Sequence, residues 1–413
     1  MAKKHITILI IFALISSILC SCIFTQSIEL DNITPIPKPT DTIQFTSDPS
    51  TPEPIIAPSP SPTTFPVPEQ TRFSLIAAGD VMAHDDNLKA AYNEASGQYS
   101  FIENFIHVKE IIEKADIAIC NLETVTAGES EIFTSYPRFN TPASILDGLK
   151  FAGFDVIVTA NNHSLDRGVT GVLKTLEEIK ARDMLSTGSY KNPGLNYLTV
   201  NIKGVPVSFL AYTQHLNGNL PLLPDDKHYM VNQMVKESII KDIKKASEHS
   251  DLVVVYLHWG NEYTRGTEDW QTAYAHDLIE AGADVILGTH PHVVRPDEIY
   301  TKDGRPKYII YSMGNYISNF IRQDNRQNAI FTEDGVMIKL DFIVDDSGLV
   351  ELEKVVPIPT WPYKYTNETG IHYEIIPVEN LDSVVHSEAY ADNEAKDSYI
   401  RTMESLTGFN LSD

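Results

Sequence analysis

The chain has 413 residues, with 32 Lys and Arg against 56 Asp and Glu, for a formal net charge of −24. That balance excludes the basic stripe a nucleic-acid surface needs, so no nucleic-acid partner is expected. An anionic substrate stays compatible with it, because metal ions and a few arginines reverse the field locally. With 42% apolar residues and three cysteines, a large core is feasible without disulfides.

Residues 1–22 read as a lipoprotein signal peptide. Lys3 and Lys4 form a basic start, and residues 6–19 form an apolar run too short for an ordinary transmembrane span. The run closes on Leu19-Cys20-Ser21-Cys22, which resembles a bacterial lipobox with Cys22 as the lipidated residue. Cys20 inside the box is atypical, so plain signal cleavage and a retained anchor stand as alternatives. The expected address is the extracellular face of a bacterial cell membrane, held by the lipid, or the medium if the lipobox is not used. Residues 23–70 are a Pro/Ser/Thr-rich tether that cannot build a core. Fully extended, it reaches on the order of 100 Å.

The folded domain is expected over 71–365. Strand-like runs at 73–78, 116–123 and 155–160 empty into Gly79-Asp80, Glu123 and Asn161-Asn162-His163, with helical patterns at 105–112, 144–152 and 171–182 between or after them. The second half repeats the scheme: a strand at 205–212, a helix at 236–249, a strand at 251–258 ending in His258, and Val285-Ile286-Leu287 leading through Gly288-Thr289 to His290-Pro291-His292. Residues 116–123 and 152–157 align with 251–258 and 281–286. A weak internal duplication and the ordinary punctuation of α/β chains both account for that match. Runs at 308–315 and 335–342 read as closing strands, and 366–413 as a polar C-terminal extension with one helix at 387–406. Cys120 sits inside an apolar run and reads as a buried, inert thiol.

In open α/β sheets ligands gather beyond the carboxyl ends of strands. Asp80, Glu123, Asn162, His258, His290 and His292 stand at such ends and form the oxygen and imidazole inventory of a metal-assisted hydrolase. Mixed O/N donors suit Mn, Fe or Zn, one or two ions, better than Ca or Mg. His163 is the candidate proton donor to a leaving group. Singly, each has a plainer reading: a turn for Asp80, a helix cap for Glu123, a left-handed turn for Asn162, a core packing role for His258. Arg167, Arg265 and Arg295 each follow a motif and read as substrate-binding guanidiniums or as solvated loop residues. His84, His107, His215 and His276 lack the strand-end setting and read as surface or packing residues.

Gly79-Asp80-Val81-Met82, Asn121-Leu122-Glu123, Ala160-Asn161-Asn162-His163, His258-Trp259-Gly260, Gly288-Thr289-His290-Pro291-His292 and Ser312-Met313-Gly314-Asn315 together resemble the CapA family of capsule synthesis proteins. That family is associated with bacterial poly-γ-glutamate synthesis and related to calcineurin-like metallophosphoesterases. The resemblance implies an α/β fold, a four-layer α/β/β/α sandwich with a dinuclear-type site between the sheets. Asp80 and His292 would serve one metal, Asn162, His258 and His290 the other, and Glu123 would bridge. Two departures stand out: the Asp-x-His opening of the wider phosphoesterase pattern is here Asp80-Val81-Met82, and the carboxylate usually following Asn-His is Ser164, leaving Asp166 as the candidate orienting acid.

Three functions follow as expectations. The first is a surface metallohydrolase-like protein of poly-γ-glutamate or capsule synthesis, with a metal-activated water attacking a phosphoester or the polymer linkage. The second is a non-catalytic accessory subunit of a membrane poly-γ-glutamate synthase, holding the anionic polymer. The third is a general cell-envelope phosphoesterase.

Overall fold

The computed structural model describes residues 70–194, 196–320, 328–378 and 389–407. The signal peptide with Cys22, and the tether up to residue 69, lie outside the described residues, as does the start of the expected C-terminal helix. All that follows belongs to one unit, Val67–Asp413.

The first half of the chain runs β1 (Arg72–Val81), α1 (Asp85–Ala91), the small hairpin β2 (Tyr92–Asn93) and β3 (Gln98–Tyr99), then α2 (Lys109–Ile112), β4 (Ile117–Leu122), α3 (Ser144–Ala152), β5 (Val156–Val158), α4 (Gly168–Lys180) and β6 (Leu185–Thr187). The second half runs β7 (Leu198–Ile202), β8 (Val205–Thr213), α5 (Lys236–Ser247), β9 (Leu252–His258), α6 (Asp269–Ala281), β10 (Val285–Thr289), β11 (Asp297–Lys302) and β12 (Arg305–Ile310). Closing elements are β13 (Asn315–Ile317), β14 (Gly335–Val344), β15 (Val350–Asn367), β16 (Gly370–Pro377) and α7 (Ala389–Ser405).

Two mixed sheets result. One has the order β16-β15-β14-β1-β4-β5-β6, with β13 beside the end of β1; the other has the order β11-β12-β10-β9-β8-β7. In the first, β1, β4, β5 and β6 pair in parallel out to one edge and β14, β15 and β16 pair antiparallel on the other side of β1; in the second, β12, β10, β9 and β8 pair in parallel between antiparallel β11 and β7. The two stretches that align in sequence are both parallel βαβ units, β4-α3-β5 in one sheet and β9-α6-β10 in the other.

Strand alternation divides the core into three apolar layers. Leu75, Ala77, Ile119 and Val158 of the first sheet meet Phe209, Val254, Leu287 and Ile310 of the second in a shared interior. On the outer face of the first sheet, Ile76, Ala118 and Ile157 pack against Ile145 and Leu149 of α3. On the outer face of the second, Val253, Val255 and Ile286 pack against Ile239 of α5 and Leu278 of α6. The architecture is therefore α/β/β/α, and strands with both faces covered read as continuous apolar runs. Helix α3 shows the local logic: Ile145, Leu146, Leu149 and Ala152 are buried at helical spacing, and Gly153 ends the helix in the left-handed region at φ 103°.

Three expectations shift. The segment at 105–112 is a 3-10 turn (Ile102–Phe105) followed by the single turn of α2. The run at 308–315 is two strands in different sheets: β12 stops at Ile310, and Asn315 opens β13 beside β1. The crossing turns at Gly314, where φ is 70° and an added Cβ would lie 2.6 Å from the Asp334 carbonyl oxygen, so only glycine fits. The domain also continues past 365, because that residue lies within β15 and β16 adds a further strand to the sheet. Cys120 is a buried free thiol whose pKa is pushed up by desolvation.

Candidate metal centre

The first carboxylate is delivered by a break in a strand. Register shifts between Ala78 and Asp80 where β1 pairs β4, and Asp80 N–H leaves the ladder to donate to the Gly314 carbonyl at 3.1 Å. Such an irregularity re-aims a side chain at a sheet end. Gly79 is the condition for it, since a Cβ there would meet Gly314 O at 2.0 Å. Asp80 is wholly buried; Asn121 Nδ2 donates to its Oδ1 at 2.8 Å and the His290 backbone N–H to its Oδ2 at 3.1 Å. Burial pushes its pKa up, but hydrogen bonding from His292 and the neighbouring His258 outweigh that and leave it below the ordinary value.

Glu123 follows β4 directly. It too is wholly buried, and neither carboxyl oxygen has a hydrogen-bond partner. Its Oε1 stands 3.5 Å from His258 Nε2 and 3.8 Å from His292 Nε2. Desolvation, then the negative charges of Asp80 and Glu262, hold its pKa well above the ordinary value. A buried acid with no donor is costly. Here the groups facing it are the nitrogens of ligand-type side chains.

His258, at the end of β9, is wedged among polar neighbours: Asn162 Oδ1 lies 2.9 Å from Nε2, and Thr289 Oγ1 lies 3.0 Å from Nδ1. His290 Nδ1 is 3.1 Å from His258 Nε2, and His292 Nδ1 is 3.0 Å from Asn315 Oδ1. His290 and His292 both hold positive φ, 94° and 57°, a strained backbone that turns two alternate residues toward one point. Desolvation lowers the His258 pKa to about 3 and that of His290 well below the ordinary value, so both present neutral imidazole, the form that binds metal.

Ligand atoms of Asp80, Glu123 and His292 lie within 4.8 Å of one another, and so do those of Glu123, His258 and His290. Glu123 is common to both groups. Two carboxylates, three imidazoles and the Asn162 carbonyl, with orphaned oxygens between them, fit a divalent transition metal. Beside the cluster, His163 Nδ1 is 2.7 Å from Asp166 Oδ2; Asp166, not residue 164, is the acid at that ring. Ser164 Oγ instead bonds the Thr159 and Asn161 carbonyls at 2.6 and 2.7 Å and shapes the turn.

The three arginines go elsewhere or are engaged. Arg167 Nε pairs with Glu131 at 2.8 Å, and its Nη1 donates to the Asp166 carbonyl at 3.0 Å, so it stays near the His163 side. Arg265 donates to the Arg401 carbonyl at 3.1 Å and stacks 4.1 Å over Phe331, serving the docking of α7 rather than a substrate. Arg295 has no exposure and spends its guanidinium on Thr264, Asn261 and Gln271. His107 and His276 pair with Glu374 and Glu298, each at 2.7 Å, as packing groups. His84 lies 5.3 Å from the Phe139 ring. His215 is exposed, in line with a surface role, and its ring centroid is 5.9 Å from that of His290. Sequence reasoning also assigned no role to Asn121, Thr289, Asn315 and Glu262. Asn121, Thr289 and Asn315 fall within the motifs that carry the family resemblance, and that was the available signal.

A profile of the family described as bacterial capsule synthesis protein PGA_cap matches residues 74–320, which hold every side chain of the cluster, and the chain belongs to that family. Among individual relatives, the capsule biosynthesis protein CapA of Bacillus anthracis is 29% identical over 308 residues, covering 70% of this chain and 68% of that protein. The PGA biosynthesis protein CapA of Bacillus subtilis (strain 168) is 36% identical over 220 residues, 50% of this chain and 52% of its own length. A Mycobacterium tuberculosis protein named as a probable polyglutamine synthesis accessory protein is 25% identical over 223 residues, 50% of this chain and 56% of its own. The chain thus spans about half the length of these last two. Of solved structures, the calcineurin-like phosphoesterase YfkN from Bacillus subtilis superposes with a TM-score of 0.40 at 16% identity, over 81% of this chain and 98% of that one. The NAD nucleotidase of Haemophilus influenzae does so with a TM-score of 0.40 at 12% identity, over 82% and 64%.

Proposed function

We propose that this protein is a metal-dependent hydrolase of bacterial capsule or poly-γ-glutamate synthesis, acting on a phosphoester or on the polymer linkage. The observation that carries the proposal is Glu123: a wholly buried carboxylate without a hydrogen-bond donor, flanked by His258, His292 and Asp80. Asp80, Glu123, Asn162, His258, His290 and His292 would hold one or two divalent ions (Mn, Fe or Zn), which would supply Lewis acidity and lower the pKa of a water to roughly 7. The chain's own contribution is geometric. Asn121 and the His290 N–H fix Asp80, and Asn315 and Thr289 fix the rings of His292 and His258. His163 donates Nδ1–H to Asp166, which leaves its Nε2 to carry a proton to a departing oxygen or nitrogen.

The test is metal analysis of the purified protein joined to a panel of phosphoester and γ-glutamyl substrates. We expect bound transition metal and turnover of one class, with His290→Ala plus His292→Ala losing the metal and Glu123→Ala losing turnover. Equal metal content in wild type and the double variant rejects the site.

A second reading, an accessory subunit of a membrane synthase that holds the anionic polymer without hydrolysing it, is favoured by Met82 standing where the phosphoesterase pattern has a ligand, and by the name of the Mycobacterium tuberculosis relative. Polymer production in cells carrying Glu123→Ala separates the two: intact production supports the accessory role, and loss supports catalysis. A general envelope phosphoesterase unconnected with capsule is the third reading, and it predicts normal polymer in a deletion strain. For location we propose a lipid anchor at Cys22 on the outer membrane face. Palmitate labelling that survives Cys22→Ser refutes it.

A further inference from the structure

The loop after β9 carries a carboxylate to which the site as described gives no role. Glu262 is exposed, yet one of its oxygens lies within 4.8 Å of a ring nitrogen of His290 and of one of His292. An exposed glutamate ordinarily keeps its rotamer freedom and its loop its mobility. Here the backbone on both sides is fixed. Tyr263 N–H donates at 2.8 Å to the carbonyl of Pro291, the residue between the two histidines. Gly260 N–H donates at 2.8 Å to Gln214 Oε1.

Arg295 explains itself in the same setting. Its guanidinium donates to the carbonyls of Asn261 at 2.8 Å and Thr264 at 2.7 Å, which bracket Glu262, and to the uncharged Gln271 Oε1 at 2.7 Å. Burying a guanidinium without a hydrogen-bonded carboxylate is costly, and burial pulls its pKa down to about 10. What that group holds in place is the loop that presents Glu262.

We propose that Glu262 is a metal ligand, sharing a cation at the outer side of the site with His290 and His292. This rests on the metal centre proposed above.

The experiment strips the purified protein with a chelator and titrates Mn²⁺ or Zn²⁺ into wild type and Glu262→Ala by calorimetry, with bound metal counted by mass spectrometry. Because the side chain is exposed, the chelated variant should unfold at the wild-type midpoint. We expect it to hold fewer ions per chain, or its weakest ion at least tenfold more loosely. Unchanged stoichiometry and affinities overturn the assignment of Glu262 and leave the inner centre standing. A wild-type protein that binds neither metal overturns the inner centre, and this inference with it.

Discussion

His163 Nδ1 stands 2.7 Å from Asp166 Oδ2, and the same carboxylate oxygen accepts the Phe139 N–H at 2.7 Å. An acid held by backbone on one side and an imidazole on the other fixes both the tautomer and the plane of the ring. Neither His163 nor Asp166 belongs to the candidate ligand groups. His163→Asn should therefore lower turnover by about 100-fold or more while metal content is unchanged. Asp166→Asn should act in the same direction, since the amide orients the ring less firmly. Steady-state kinetics beside metal counting checks both, and a variant that loses its metal contradicts the division of labour.

Glu123→Gln should change stability much more with metal bound than without it. In chelated protein the raised pKa already keeps the buried Glu123 carboxyl protonated and uncharged, so the neutral, near-isosteric amide should change the unfolding free energy by about 1 kcal/mol or less. With metal present, the lost ligand should lower stability below wild type, because binding free energy is added to folding free energy. Denaturant melts with and without chelator read the difference. Parallel behaviour in both states speaks against a metal at this carboxylate.

The chelated protein should also weaken in acid. Desolvation first, and neighbouring imidazoles second, hold His258 at about 3 and His290 well below its ordinary value, while both titrate near 6.5 when unfolded. Their folded pKa values are depressed, so the unfolded state binds protons that the folded state refuses. Stability is fully present above pH 6.5 and is lost as pH falls from there toward 3. His258→Asn should flatten that slope in urea melts at fixed metal-free conditions; an unchanged slope places the acid sensitivity elsewhere.

Gly79→Ala tests the kink that aims Asp80. The added methyl carbon would lie 2.0 Å from the Gly314 carbonyl oxygen, closer than any real contact, and the partner is backbone that cannot swing aside. A loss of about 1–3 kcal/mol or more is expected, with metal affinity falling because Asp80 is displaced. Gly266→Ala serves as a control, since a Cβ there meets nothing within 4 Å and its φ lies outside the left-handed region.

What the sequence alone determined is the set of strand exits. Asp80, Glu123, Asn162, His258, His290 and His292 were legible because a strand covered on both faces is a continuous apolar run, and the first polar residues after it mark where it leaves the core. Helix α3 was legible to the residue, because its apolar spacing and terminal Gly153 are local signals.

The tertiary structure alone decided which exits share a pocket. Residues 308–315 cross from one sheet to the other at Gly314 and so bring Asn315 to His292, although their apolar pattern is that of one strand. Arg295 read as a substrate-binding guanidinium or a solvated loop residue, and its side chain is buried, donating to carbonyls of the 261–264 loop. Glu262 carried no periodic or motif signal at all. Periodicity reports only which side of an element is dry; where two sheets stack, and which distant side chains that stacking sets within a few ångströms, depends on contacts between residues far apart in the chain.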